Sequence, residues 1–551
     1  MRTNTGDSVV APNSGAVWGI WNMRKSLWVI PVLLSLSFGA GPVWAQCGSL
    51  GAPSTTWSDG NGTWSGSGNW TSGAPNTSTN ACILDGASTV TLDPNGNALG
   101  LQLSSGNVLN INIAAGLGLG SGPSYNYGAI NNYGSIGNAG PFFNNGAFTN
   151  SGFIEICCTR SVLTNNGTFT NATNGYISVN WELVNNGTFY NEAGATIFNA
   201  AAAAGDGSLE NYGTLINAGT LVTDIVNYID NYGELTNSVA GVIINNFALV
   251  NGSLLVNLGT INNDGGVLAS NGVLINEGAI YNTFCGACFT GQFNNSGVLT
   301  NSGLISNASG ATLNNAGAFT NSGVLINAGA INSAGSFTNF GTVTVTNSGI
   351  FTTSTNYMQT AGSTLVNGTL SATGSAIVDI QGGTLGGTGT INGNVRVGGG
   401  YAGGGYVAFG GTITPGAPGT PGTFTILGNY EQTGTGTLEE LIGPLSHSLL
   451  NVSGDVTLDS GAFLDITLLN GYDPLGQTFD IMDYNALTGQ FSNGSGFWDD
   501  GYLWDVSYGQ NQIDVTAVQA PEPDSQLLLF VGLAALAIYS HRKMDKTQRT
   551  A

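Results

Sequence analysis

The chain has 551 residues, of which 87 are glycine, 41% hydrophobic and only 7% charged, with a net charge of −22. Between Gln46 and Ala520 stand 27 Asp and Glu against two cations, Arg160 and Arg396, which leaves that span near −25. Such a body excludes nucleic acid as a partner, because phosphate binding needs clustered Lys and Arg. Its regularly spaced apolar residues exclude a disordered polar tract.

In chain order, residues 1–45 read as a signal peptide for Sec export. Met23-Arg24-Lys25 supplies the basic start, 27–40 the apolar run, and Val43-Trp44-Ala45 before Gln46 the small-x-small cleavage site, with Met23 as an alternative first residue. The apolar run is short for a retained anchor. Residues 46–95 carry Trp57, Trp64 and Trp70, bracketed by Cys47 and Cys82. Terminal coils of a repeat need covering, and three tryptophans within fourteen residues fit that role; a sugar-binding aromatic face is the alternative. Export leads to an oxidising compartment, so a Cys47–Cys82 disulfide is expected as a staple.

Residues 96–380 are repetitive. Asn144-Asn145-Gly146-Ala147-Phe148 returns at Asn165 and again at Asn185, 21 and 20 residues on. From Asn211-Tyr212-Gly213 the step of 20 continues to Asn231, Asn251 and Asn271, and Leu215, Leu235 and Leu255 keep it. A shorter beat of about six runs through Asn295, Asn301, Asn315, Asn321 and Asn327. Apolar runs this short, each cut by Gly, are strands rather than helices. Three strands and three turns in 20 residues describe one coil of a parallel β-helix. Stacking would set Phe148, Phe169 and Phe189 in one core ladder and Leu215, Leu235 and Leu255 in another. The Asn columns are expected at the turns, with left-handed backbone and amides paired coil to coil. About thirteen coils are expected.

Residues 381–517 continue as β structure. Residues 518–551 hold Pro521-Glu522-Pro523, an apolar stretch over 527–539, then Arg542-Lys543. The stretch falls short of the ~20 residues of a relaxed spanning helix, so a short apolar helix in transient contact with the inner membrane is expected.

Two resemblances follow from these residues. The tail, in its order of Pro-Glu-Pro, apolar segment and basic end, resembles the PEP-CTERM sorting signal of Gram-negative bacteria, with Ala520 where Val is commoner. That implies recognition by an exosortase-type enzyme, removal of the tail, and delivery to the cell surface or an exopolysaccharide matrix. The segments Gly382-Gly383-Thr384-Leu385-Gly386-Gly387, Ile413-Thr414-Pro415-Gly416 and Asn429-Tyr430 resemble the passenger-associated repeat of autotransporters, and the Trp-rich opening resembles that of filamentous-haemagglutinin-like passengers. This implies β-helical coils with a C-terminal stabilising region. No run of alternating strands for a membrane barrel follows; the sorting-like tail stands in that place.

Chemistry is sparse. Cys157-Cys158 and Cys285-Gly286-Ala287-Cys288 interrupt the repeat about six coils, near 30 Å, apart, beyond disulfide reach, so each pair acts locally. Cys285 and Cys288 read as a loop-closing disulfide; Phe289 stands where a c-type haem motif needs His. His447 is the one histidine of the body, against multi-histidine metal sites and Ser-His-Asp catalysis. Glu439-Glu440 and Asp499-Asp500 with Asp505 are the nearest carboxylate clusters, without calcium-loop spacing. No catalytic, metal or cofactor residues are assigned. The reading is an all-β protein: a right-handed parallel β-helix of about 20-residue coils with a C-terminal β-rich cap. It serves as a structural or adhesin-like surface element that contacts exopolysaccharide or other surface glycans. A carbohydrate-active enzyme or glycan-binding module on a β-helix is the alternative.

Overall fold

The computed structural model describes residues 47, 52–58, 60–158, 160–200, 207–285, 290–399, 401–402, 405–406, 410–519 and 533–539. One coil shows how the chain folds. Ser208–Asn211 forms a strand of the first sheet, Thr214–Asn217 of the second and Thr220–Thr223 of the third. The chain then returns at Tyr228–Asn231, paired in parallel with Ser208–Asn211 residue for residue. Strand side chains alternate between faces, so the second and fourth residues of each four-residue strand point inward.

Repetition of this unit builds a parallel β-solenoid of turns of roughly 20 residues, the second sheet receiving one strand from each of about 20 turns. The turns exceed the thirteen expected because pairing outruns the Asn-marked stretch. Ser54–Thr56 already pairs with Asn80–Ile83, and Asp455–Leu458 still pairs with Ala486–Gly489.

The second-position column of the second sheet is one apolar ladder, not two. Phe148, Phe169 and Phe189 stack with ring centroids 4.5 and 4.6 Å apart. Leu215 follows Phe189 directly, then Leu235 and Leu255. Each is buried, stabilising the stack by about 1.5–3 kcal/mol per side chain.

Asn145, Asn166 and Asn186 stand at a corner with amides paired coil to coil, as expected, but the strand asparagine columns differ from expectation. They occupy the fourth strand position and point inward, fully buried, with ordinary strand backbone. Asn211 Nδ2 donates to Asn231 Oδ1 at 2.7 Å and to the Glu234 carbonyl at 2.9 Å. Asn231 repeats this toward Asn251 and Leu254, so each amide serves as donor and acceptor at once. A buried polar group is tolerable only when so satisfied. Side chains that bind the next coil thus do inside the core what turn geometry was expected to do outside it.

The corner glycines also act by another route. Gly233 is not in the left-handed region; a Cβ there would overlap the Gly213 carbonyl of the preceding coil. The residue is glycine because neighbouring corners nearly touch. Backbone hydrogen bonds therefore continue around the bend, Glu234 N donating to Gly213 O at 2.9 Å.

The first coil is closed by Trp57, Trp64 and Trp70, buried and packed edge to face at 5.0 and 5.1 Å. Trp70 Nε1 donates to the Trp64 carbonyl. Cys47 and Cys82 form a disulfide with Cα atoms 6.0 Å apart, spanning 35 residues. Closing a loop of that length removes about 4 kcal/mol of unfolded-chain entropy. Cys82→Ser is expected to fray residues 47–83 first, read as early protease cuts there while the later coils stay intact.

The far end is covered by antiparallel strands: Thr478–Asp483 and Tyr502–Tyr508 flank Gln512–Val518, with Trp504 buried beneath. Residues 533–539 form one exposed helix. No helix among the described residues is long and apolar enough to cross a membrane.

Candidate functional site

The surface of the solenoid is written in columns, because each outward position recurs one strand spacing further along. The column at the corner between the first and second sheets reads Tyr127, Asn145, Asn166, Asn186, Tyr212, Tyr232, Gly252, Asn271, Ser296, Ala316, Ala334, Ser354. Tyr212 and Tyr232 are half-exposed and stacked, centroids 5.1 Å apart at 17°. Their hydroxyls reach back over the first sheet, Tyr212 donating to Glu210 at 2.9 Å and Tyr232 toward Asp230 at 3.5 Å. Glu210 and Asp230 are ladder neighbours, and burial together with Glu210 pushes the Asp230 carboxyl up to about 6. Further along, the same corner opens into a cleft of about 290 Å³ lined by Asn314, Asn332, Ala334, Thr352, Ser354 and Thr373. Every side chain there is uncharged, and Asn332 donates to Asn314, which donates to Asn294.

The tyrosine pair was not singled out from sequence. Its signal is the doublet Asn-Tyr-Gly at 211–213 and 231–233, followed by Asn-Gly-Ser at 251–253.

The sequence-chosen residues fall elsewhere. Pro521, Glu522, Pro523, Arg542 and Lys543, and the Ala45–Gln46 junction, lie outside the described residues. Cys285 is disulfide-bonded, and Cys288 lies outside the described residues. Cys157 and Cys158 are thiols 2.8 Å apart, Cys158 at φ 79°. Burial, then Cys158 and Glu155, push the Cys157 thiol up to about 12.

The carboxylate clusters are put to structural use. Asp499 and Asp500 accept backbone N–H groups of Ile466 and Leu468, capping the open edge of the last third-sheet strand, Phe463–Leu468. Asp505 accepts from Ser495 Oγ. Glu439 points outward and accepts from Thr414 Oγ1 at 2.7 Å, whereas Glu440 points into the core with neither oxygen paired. Burial, then Asp480 and Glu439, hold the Glu440 carboxyl well above its ordinary range. Burial and the Asp499 charge raise Asp465 to about 6, and burial with Asp483 and Asp514 raises Asp480 to about 6. Among the described residues no group of three or more His, Cys, Asp or Glu is placed to hold a metal ion. Of the two body cations, Arg396 is clamped in a two-pronged pair with Asp379 at 2.8 and 3.0 Å. His447 packs its ring edgewise on Phe479.

These raised carboxyls bind protons more tightly folded than unfolded, so their stability is present below about pH 4 and is lost as pH rises through about 6. Melting temperature is therefore expected to fall between pH 4.5 and 6.5. Glu440→Leu replaces an unpaired buried acid with an apolar residue and is expected to stabilise the protein by about 1–3 kcal/mol at neutral pH. A urea midpoint that drops in this variant would show that Glu440 has a bonding role.

No protein-family model matches the chain, and no curated protein matches it. Among solved structures it is similar to the Hap adhesin of Haemophilus influenzae, at 11% identity and a TM-score of 0.29, over 80% of this chain and 63% of that one; the chain thus spans less than two thirds of that structure's length.

Proposed function

We propose that this chain is a secreted structural and adhesin-like element of the cell surface or its exopolysaccharide matrix, and that it carries no catalysis. The observation that carries the reading is the use made of its polar core groups. Three buried amide ladders and closely touching glycine corners spend the sequence on holding a long stack of coils, and the result is a surface of repeating columns. Such a surface sets short runs of one residue type along a column, as at Asn145, Asn166 and Asn186, which suits contact with an extended polymer. Of the clustered carboxylates, Asp499 and Asp500 cap a strand edge, Glu440 sits in the core, and Glu439 and Asp505 accept from neighbouring hydroxyls.

Export by Sec, an exosortase-type enzyme acting at Pro521-Glu522-Pro523, and transient inner-membrane contact through the apolar segment belong to this proposal. Antibody labelling of intact cells should find the protein outside. Intact mass of surface material should lack residues 527–551; a mass that retains them identifies a permanent anchor. Turnover of a polysaccharide that disappears on replacing one Asp or Glu would refute the non-catalytic reading.

A further inference from the structure

Tyr212 and Tyr232 form a stack that ends abruptly. In register, the next corner residue is Gly252 and the one after it Asn271. A Cβ built at Gly252 would lie 3.4 Å from Tyr232 Cδ1, an ordinary contact, so the outer face of the Tyr232 ring borders the space that a side chain at 252 would fill. The backbone does not demand glycine here: Gly252 is outside the left-handed region and a Cβ meets no backbone closer than 3.5 Å. The corner position that is crowded elsewhere in the column, occupied by Gly233 and Gly272, is occupied in this coil by Ser253. The coil has therefore given up its ring without a steric reason.

What remains is a notch one coil wide. Tyr232 forms one wall and Asn271 the other, two strand spacings or about 9.5 Å apart along the stack. Val250, outward and half-buried, continues the column of Glu210 and Asp230 and lies beside Gly252 as floor; Ala269 follows it. An aromatic face backed by small apolar residues matches the C–H face of a pyranose, whose weakly positive hydrogens the ring attracts. The rim is acidic on the Tyr232 side, where the Asp230 carboxylate sits at that ring's hydroxyl end and Glu210 stands one coil further back. In a body near −25, such a rim repels uronic acids and sulfated sugars and attracts a protonated amine, which the ring face also favours.

We propose that the uncovered face of Tyr232, over Gly252, is a stacking site for one glucosamine unit of a partly deacetylated amino-sugar polymer, its ammonium group held by Asp230. This rests on the reading of the chain as an adhesive solenoid and names the ligand class.

The test is calorimetric titration of the full chain, at 150 mM salt, with the hexasaccharide of glucosamine. The hexasaccharides of N-acetylglucosamine and of galacturonic acid serve as comparisons. The glucosamine hexasaccharide is expected to bind at least tenfold more tightly than either. Tyr232→Ala should weaken it tenfold or more. Gly252→Tyr, which places a third ring in the notch, should do the same without lowering the melting temperature. Asp230→Asn should erase most of the preference for the free amine. Binding unchanged in both Tyr232→Ala and Gly252→Tyr would reveal diffuse charge attraction and overturn the site. Equal binding of the N-acetylated sugar would overturn the amine assignment, and no detectable binding would overturn both. Each of these failures leaves the surface location intact, whereas a cytoplasmic protein would sink the adhesive reading whatever the titration shows.

Discussion

Leu235→Asp is expected to unfold the coils around residues 215–255. Leu235 is fully buried, between Leu215 and Leu255, and none of its neighbours in that ladder is a cation or donor. An uncompensated buried carboxylate costs about 3–5 kcal/mol or more. In a stack where each coil touches only its neighbours, that loss falls locally. Hydrogen exchange should therefore show loss of protection over three or four coils, with distant coils unaffected, and trypsin-independent proteases should cut there first. Thr236→Asp, one residue on and facing outward, is the control and should shift stability by about 0.5 kcal/mol or less. Equal behaviour of the two variants would mean that the inward and outward assignments are wrong.

Asn301→Leu should be nearly as damaging although it makes the core more apolar. Asn301 accepts from Asn276 Nδ2 at 2.6 Å and donates to Asn321 Oδ1 at 2.7 Å and the Val324 carbonyl at 3.2 Å. Leucine fills the space but strands a donor on one side and acceptors on the other. Each buried group left unpaired costs about 1–3 kcal/mol, so a loss of about 2–4 kcal/mol is expected from denaturant unfolding. Adding Asn321→Leu should cost less than Asn321→Leu alone does, because the bond between the two is already gone. Strict additivity would show that the amides do not act as a chain.

The coil was legible because its period is written twice, in the 20-residue return of Leu215, Leu235 and Leu255 and in the six-residue beat of the asparagines. The asparagines' direction was not legible. Asn favours turns, and nothing local to Asn231 reveals that its amide will find Asn211 and Asn251 inside the core. That preference was overridden by contacts that exist only once coils stack. The same holds for Gly233, whose need for glycine comes from Gly213 in the previous turn rather than from its own backbone angles. The capping role of Asp499 and Asp500 was hidden for the opposite reason: they serve the one strand edge where repetition stops, so no recurring pattern announces them. The Tyr212–Tyr232 pair shows in the sequence only as two letters, and its interest lies in what fails to recur at Gly252.

The forward-pointing amides make this protein's length a quantity that changes in whole steps. Each buried Asn needs one acceptor ahead and one donor behind, and the second sheet supplies that pair in every coil from Asn132 to Asn339, whereas Ile156, Val179 and Val345 interrupt the third. Removing residues 231–250 would bring Asn211 Nδ2 against Asn251 Oδ1, with each remaining strand still on its own sheet. Removing ten residues would set strands of different sheets side by side and break all three amide lines at once. A gene encoding such a chain can therefore gain or lose complete turns by unequal recombination and still yield a folded product, so the length of the stack becomes adjustable by copy number rather than by redesign.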